Sequence, residues 1–143
     1  PVPLPDGAEN VEAFEAHGGW VSSAPDLVRF ASAFDYGRQS PLLSRALIDE
    51  MWARPDGPAG YDDQKKPLAA YYGWGWLVRP VGDTGRANTW HGGMIAGTST
   101  LLVRRHDGLN WAVLFNTDAT ATGDVPAGLI DGPMHRAADA FKQ

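Results

Sequence analysis

The triplet His91-Gly92-Gly93, preceded by Trp90 and followed by Gly97, is the stretch whose residue types and spacing best suit chemistry. An imidazole can hold or move a proton. The two glycines place no side chain between backbone and ligand, so a reacting carbonyl can approach N–H groups that stabilise an oxyanion. The same triplet also reads as a glycine-rich bulge with a structural histidine. His17-Gly18-Gly19 repeats it near the start of the chain, so the triplet alone does not decide between the two.

Other chemistries have thinner support. The chain has no cysteine, which removes disulfides, thiolate metal sites and cysteine nucleophiles together. A Ser–His–Asp triad would draw on Ser22, His91 and Asp118, but no serine sits in a Gly-x-Ser-x-Gly elbow. His17, His91, His106 and His135 show neither HExxH nor close paired spacing. No metal and no cofactor is therefore expected, and His106, beside a turn, reads as a solvated side chain. Asp62-Asp63 shares a loop with Lys65-Lys66 and reads as solvated charge, not as an acid/base pair.

The elements that must position the triplet follow from periodicity and turn residues. Glycine (17) and proline (11) are frequent enough to imply many tight turns. Pro1 to Asn10 reads as an extended lead-in. Ser23 is an N-cap, with Pro25 and Asp26 in the first turn and Leu27, Phe30, Ala31 and Phe34 at helical spacing to about Asp35. A second helix is expected from Pro41 to Trp52 on a Leu43, Leu47, Met51 stripe, and then a loop from Arg54 to Pro67. From Tyr72 to Val81 the pattern alternates, with Trp74, Trp76 and Val78 on one face. Further strand segments surround the turns at 82–85 and at Asp107-Gly108, a hairpin signal. Leu129, Ile130, Met134, Ala137, Ala138 and Phe141 mark a last helix, which Gly132-Pro133 should kink or split.

The fold class is thus α+β, an antiparallel sheet flanked by helices. The 143 residues read as one partial domain: 1–70 with the lead-in, two helices and loop, 71–117 a three-strand antiparallel meander, and 124–143 the C-terminal helix. The last strand, Asn110 to Asn116, is the most apolar, and an edge of that kind is normally paired or covered. Net charge is −5 with no block of like charges, which argues against nucleic acid as a partner. No apolar run is long enough for a transmembrane segment. The six tryptophans and four tyrosines also admit a non-catalytic binding module for a glycan or peptide. Trp74, Trp76 and Trp111 nonetheless stand at strand positions, where large aromatics are usually core.

Longer stretches narrow the choice. Residues 16–30, Ala-His-Gly-Gly-Trp-Val-Ser-Ser-Ala-Pro-Asp-Leu-Val-Arg-Phe, resemble a segment of the β-lactamase-related serine hydrolases, Gly-Gly-Trp-x-Ser-Ser/Thr-Ala-x-Asp-Leu-x-Arg-Phe. That family includes class C β-lactamases, penicillin-binding proteins, D-alanyl-D-alanine carboxypeptidases and related esterases. Tyr72-Gly73-Trp74-Gly75-Trp76 is similar to the family's Tyr-Gly-x-Gly-Trp strand. Residues 90–99 resemble Gly-His-Thr-Gly-x-x-Pro-Gly-x-x-Ser, the histidine version of its Lys-Thr-Gly motif. Leu101 to Val103 and Trp111 to Asn116 match the two strands that follow.

The resemblance implies the C-terminal portion of the family's α/β domain. It implies a cleft wall of His91, Gly92 and Gly93, with Met94 N–H as oxyanion donor and Gly97 and Gly92 beside the substrate. The family's nucleophile stands in Ser-x-x-Lys, followed by Tyr-x-Asn; no serine here has lysine three positions on, and no tyrosine has asparagine two positions on. The chain is therefore expected to be inactive alone, as the C-terminal part of a larger hydrolase of ester, amide or β-lactam bonds. Its expected partners are a small-molecule or peptide acyl substrate, and the missing N-terminal half or a second copy at the last strand. The resemblance suggests a bacterial periplasmic or secreted location. Gly92 stands where the family has Thr or Ser, and His91 where β-lactamases have Lys; both weaken recognition of an anionic substrate.

Overall fold

The computed structural model describes residues 10–141, so all but the last residue of the expected lead-in lies outside the described residues. Val11–His17 forms 3-10 turns interrupted at Glu15. Ser23 then does what its type and position dictate: its Oγ accepts the Asp26 N–H at 3.3 Å and donates to the Asp26 carboxylate at 2.7 Å. This starts α1, Ala24–Ser32. Turns with shorter-range hydrogen bonds carry the chain on to Asp35, so the regular helix is shorter than the spacing predicts. The second helix, α2, is Arg45–Met51 and starts at Ser44, whose Oγ accepts the Leu47 N–H, not at Pro41. Leu43 and Met51 of the expected stripe pack against the core, but Leu47 is exposed, and Ile48 and Trp52, four apart, take the inward face.

The sheet has five strands, not three: β1 Tyr71–Tyr72, β2 Leu77–Pro80, β3 Ala87–Ile95, β4 Thr98–Arg104 and β5 Trp111–Phe115, neighbouring in that order. One of the two additional strands arises because the expected run from Tyr72 to Val81 folds back on itself. Tyr71 pairs with Val78 and Tyr72 with Leu77, and the Gly73 N–H donates to Trp76 O at 2.7 Å across the turn. Glycine is required at 73 by close approach: a Cβ there would lie 2.5 Å from Met51 O. The same carbonyl accepts the Trp74 N–H at 2.9 Å, docking the turn on the end of α2. Trp74 consequently sits on a turn and is 73% exposed, while Trp76 is buried. The expected common face of Trp74, Trp76 and Val78 is overturned for Trp74.

The chain divides into two compact units. Residues 28–91 and 102–111 form one, and the other described residues form the second. The core of the first unit joins Ala31 and Phe34 to Ile48 and Trp52, and to Tyr71, Trp76, Val78 and Ala87. Phe34 is its pivot, with ring centroids 5.2 Å from Phe30, 6.5 Å from Trp52 and 6.0 Å from Trp76. Arg104 is fully buried here, its guanidinium 4.4 Å from the Tyr36 ring and 4.6 Å from the Trp52 ring. In the second unit, buried Ser99 donates to Thr117 O at 2.8 Å. The last helix, α3, Pro126–Ala140, passes through Gly132-Pro133 as one element and is not split. Of its residues only Ala127 is buried, and Leu129 is exposed, as is Phe141 just beyond it, so the expected stripe is not core among the described residues.

Two predictions come from this packing. Arg104→Ala leaves Asp35 without its nearest cation, 3.3 Å away, and opens a void between two rings. It should cost about 3–5 kcal/mol in urea denaturation; a loss under 1 kcal/mol would show the guanidinium to be peripheral. The second concerns Tyr71, whose Oη donates to Trp52 O at 2.8 Å. Burial raises its pKa above the ordinary 10.0, partly offset by the Arg54 guanidinium. The fold holds the phenol neutral, so its contribution is complete below the unfolded value and is lost as pH rises through the raised folded one. Tyr71→Phe should therefore be less stable than wild type near neutrality, by about 1 kcal/mol. The gap should narrow as pH rises above 10.0, and a gap that stays constant with pH would contradict the linkage.

Candidate functional site

His91 lies on β3, reached from the buried start of that strand at Ala87. Strand pairing sets its neighbourhood: Trp90 pairs with Leu77, and Leu77 pairs on its other side with Tyr72. Tyr72 thereby comes within reach, and its Oη lies 2.8 Å from His91 Nε2 with the rings edge to face at 5.8 Å. If the phenol donates, the imidazole proton is held on Nδ1; if the imidazole donates, it is held on Nε2. In either case one ring nitrogen has a fixed partner, and the ring orientation is set from within the same unit.

His91 also lines an open cavity of about 480 Å³. Phe30 and Phe34 come to its wall from α1 and the turn after it, Leu42 and Leu43 from the segment before α2, and Met51 from the end of α2. Trp74 and Trp76 come from the hairpin turn and Leu102 from β4. None of these side chains is charged. The wall is aromatic and ordered: the Phe30 and Trp76 rings are nearly parallel, 10° apart with centroids at 6.2 Å.

Gly92, Gly93 and Met94 continue β3, and Gly97 occupies the turn before β4 with φ 77°, a left-handed backbone that glycine takes without strain. The Met94 side chain is 62% exposed. Gly93 has a packing reason of its own, since a Cβ there would lie 2.8 Å from Thr100 Oγ1. A glycine chosen for close approach thus also answers to its own hairpin.

The remaining candidates sit in local contacts. The His17 ring is edge to face with Phe14 at 5.3 Å. The Ser22 hydroxyl lies 3.4 Å from the Ser23 carbonyl. His106 is half-buried, not merely solvated: Asn88 Oδ1 lies 2.9 Å from both its backbone N and its Nδ1. His135 Nε2 is 3.5 Å from Asp131. Asp62 accepts the N–H groups of Gln64 and Lys66 and so shapes its exposed loop. Among the described residues, no group of three or more His, Cys, Asp or Glu side chains is placed to hold a metal ion, and no helix is long and apolar enough to cross a membrane.

Neither the Tyr72–His91 contact nor the cavity follows from the sequence pattern. The signal for Tyr72 was present in Gly73 and Gly75: a hairpin turn there fixes the register that carries Tyr72 beside Trp90. The cavity brings together segments far apart in the chain, and no local pattern announces it.

A family model described as Beta-lactamase matches residues 1–131. No curated protein and no solved structure matches the chain.

The contact at Gly93 yields a prediction. Gly93→Ala should lower stability by about 1–3 kcal/mol through overpacking against Thr100. In the Gly93→Ala, Thr100→Ala double variant most of that loss should disappear. A urea double-mutant cycle measures the coupling, and simple additivity would show that Thr100 is not the obstacle.

Proposed function

The chain belongs to the beta-lactamase family, and from that premise we propose that it forms one wall of the active-site cleft of a serine acyl hydrolase. The Ser-x-x-Lys and Tyr-x-Asn elements of that hydrolase lie outside these 143 residues. His91 carries the reading. It stands in a stretch that resembles the family's strand triplet, lines an open cavity, and has its Nε2 2.8 Å from the Tyr72 hydroxyl.

In this role the strand stabilises charge and shapes the cleft. The Met94 N–H donates to the oxyanion of the tetrahedral intermediate, alongside the N–H of the nucleophile; one such donor is typically worth ~3–4 kcal/mol. Gly92 and Gly97 leave room for the substrate backbone. Nothing on this strand attacks a carbonyl, because covalent catalysis needs a nucleophile held beside its base. With glycine at 92 and histidine at 91, the wall offers neither a hydroxyl nor a permanent cation to a substrate carboxylate. An esterase-like reaction therefore suits it better than β-lactam or carboxypeptidase chemistry. At the other end of the meander, β5 closes the strand order as an apolar edge, which the rest of the hydrolase sheet, or a second copy of the chain, would pair.

A non-catalytic binding module for a glycan or peptide draws support from the exposed Trp74. Trp52, Trp76 and Trp111 are nonetheless buried, where a row of stacking platforms would need them exposed.

Mass spectrometry tests the proposal. The 143-residue chain incubated with a β-lactam or a fluorophosphonate should keep its intact mass. A longer protein that joins it to Ser-x-x-Lys and Tyr-x-Asn elements should gain one equivalent on serine. A stoichiometric serine adduct on this chain alone would overturn the assignment.

A further inference from the structure

In the unit formed by residues 28–91 and 102–111, the large apolar side chains left exposed are Phe30, Leu42, Leu47, Tyr72 and Trp74. They are not scattered. Phe30, Leu42 and Trp74 line the cavity beside His91, and Tyr72 is the hydrogen-bond partner of His91 itself. Exposed apolar groups that converge on one concavity mark a binding site far better than single exposed residues do.

The lining also states what it would bind. At about 480 Å³ the cavity falls within the ~300–1,000 Å³ of small-molecule sites. Apart from the imidazole, its side chains are aromatic, aliphatic or thioether, and no Asp, Glu, Lys or Arg is among them. A cation entering it would find no carboxylate, and an anion would find no Lys or Arg, to offset the hydration it loses. An apolar group would instead meet a rigid aromatic wall: Phe34 fixed edge to face against Phe30, and Phe30 parallel to Trp76. The single polar group, His91, is held in orientation by Tyr72. One oriented polar group in an apolar pocket is the usual composition of a site that positions a mostly apolar ligand.

We propose that this cavity receives the apolar acyl chain of an uncharged ester, and so selects uncharged, medium-chain acyl esters as the hydrolase's substrates. The inference rests on the reading of His91 as part of the cleft wall, and it adds the substrate class.

The test uses the 143-residue chain itself, with methyl octanoate as the probe. Without the family's nucleophile the chain should bind this ester and leave it intact. Indole N–H resonances of Trp74 and Trp76 should shift saturably. Affinity should rise roughly fourfold per methylene from methyl butanoate to methyl octanoate. The octanoate anion should bind at least about tenfold more weakly. Trp74→Ala, at an exposed turn position, should weaken binding by roughly tenfold, and Leu47→Ala, exposed but outside the cavity, should leave it unchanged. The proposal is overturned if the Trp74 and Trp76 signals do not saturate, if the anion binds equally well, or if Trp74→Ala binds like wild type. Failure of the underlying reading looks different. A longer protein that binds methyl octanoate through Trp74 but never turns it over would sink the hydrolase and leave the cavity assignment standing. One that hydrolyses acetyl and octanoyl esters equally well would do the reverse.

Discussion

The side chain of Arg104 is the constraint on which the larger unit depends. It has no solvent exposure, yet its charge is compensated from several sides: the ring faces of Tyr36 and Trp52, the carboxylate of Asp35 and the carbonyl of Ala87, 3.1 Å from Nη1. Desolvation lowers its pKa, while Tyr36 and Asp35 act to raise it. The arrangement is not saturated. Nε is near Asp35 but outside hydrogen-bond geometry, and Nη2 has no partner. A charge buried this way is weak evidence for stability, but removing one of its partners leaves it uncompensated. Those partners belong to the turn after α1, the end of α2 and the start of β3. The guanidinium therefore ties together three of the elements from which the cavity wall is built, and β3 reaches His91 four residues after Ala87.

A second level of positioning depends on the hairpin between β1 and β2. Met51 O accepts the Trp74 N–H, and Gly73 lies too close to that carbonyl for any side chain. One close approach thus fixes three things: Trp76 turns into the core, Trp74 stays at the cavity edge, and Tyr72 comes into register beside Trp90, with its hydroxyl on His91. The core and the cavity edge share the same backbone contact, so the aromatic residues of this segment serve both.

The sequence was informative where the physics is local. The Ser23 cap, the turn at Asp107-Gly108 and the α+β alternation all depend on a few adjacent residues, and all appear where expected. It misled where a partner segment decides. Alternation from Tyr72 to Val81 looks like one strand because pattern alone does not reveal that Met51 O captures the turn. Leu47 and Ile48 are both apolar, and only the tertiary core selects Ile48. Gly132-Pro133 was expected to kink or split the last helix, and the split does not occur, because proline removes one donor and need not end the element. His106 looked like a solvated residue because its partner Asn88 is 18 positions away. The His91 strand was legible as a motif, whereas its partner Tyr72 and the cavity were legible only as assembled geometry.

Histidine at 91 is consistent with the apolar cavity beside it in a way that lysine would not be. None of the other lining side chains is anionic, so an ammonium at this exposed position would find its partners in solvent and none in the wall. An imidazole has a neutral form and two ring nitrogens, so one can be satisfied by a phenol while the ring packs against apolar neighbours. The Tyr72 hydroxyl supplies that partner without adding a charge. His91 and the uncharged side chains beside it thus share one property: none adds a permanent charge to the cavity wall.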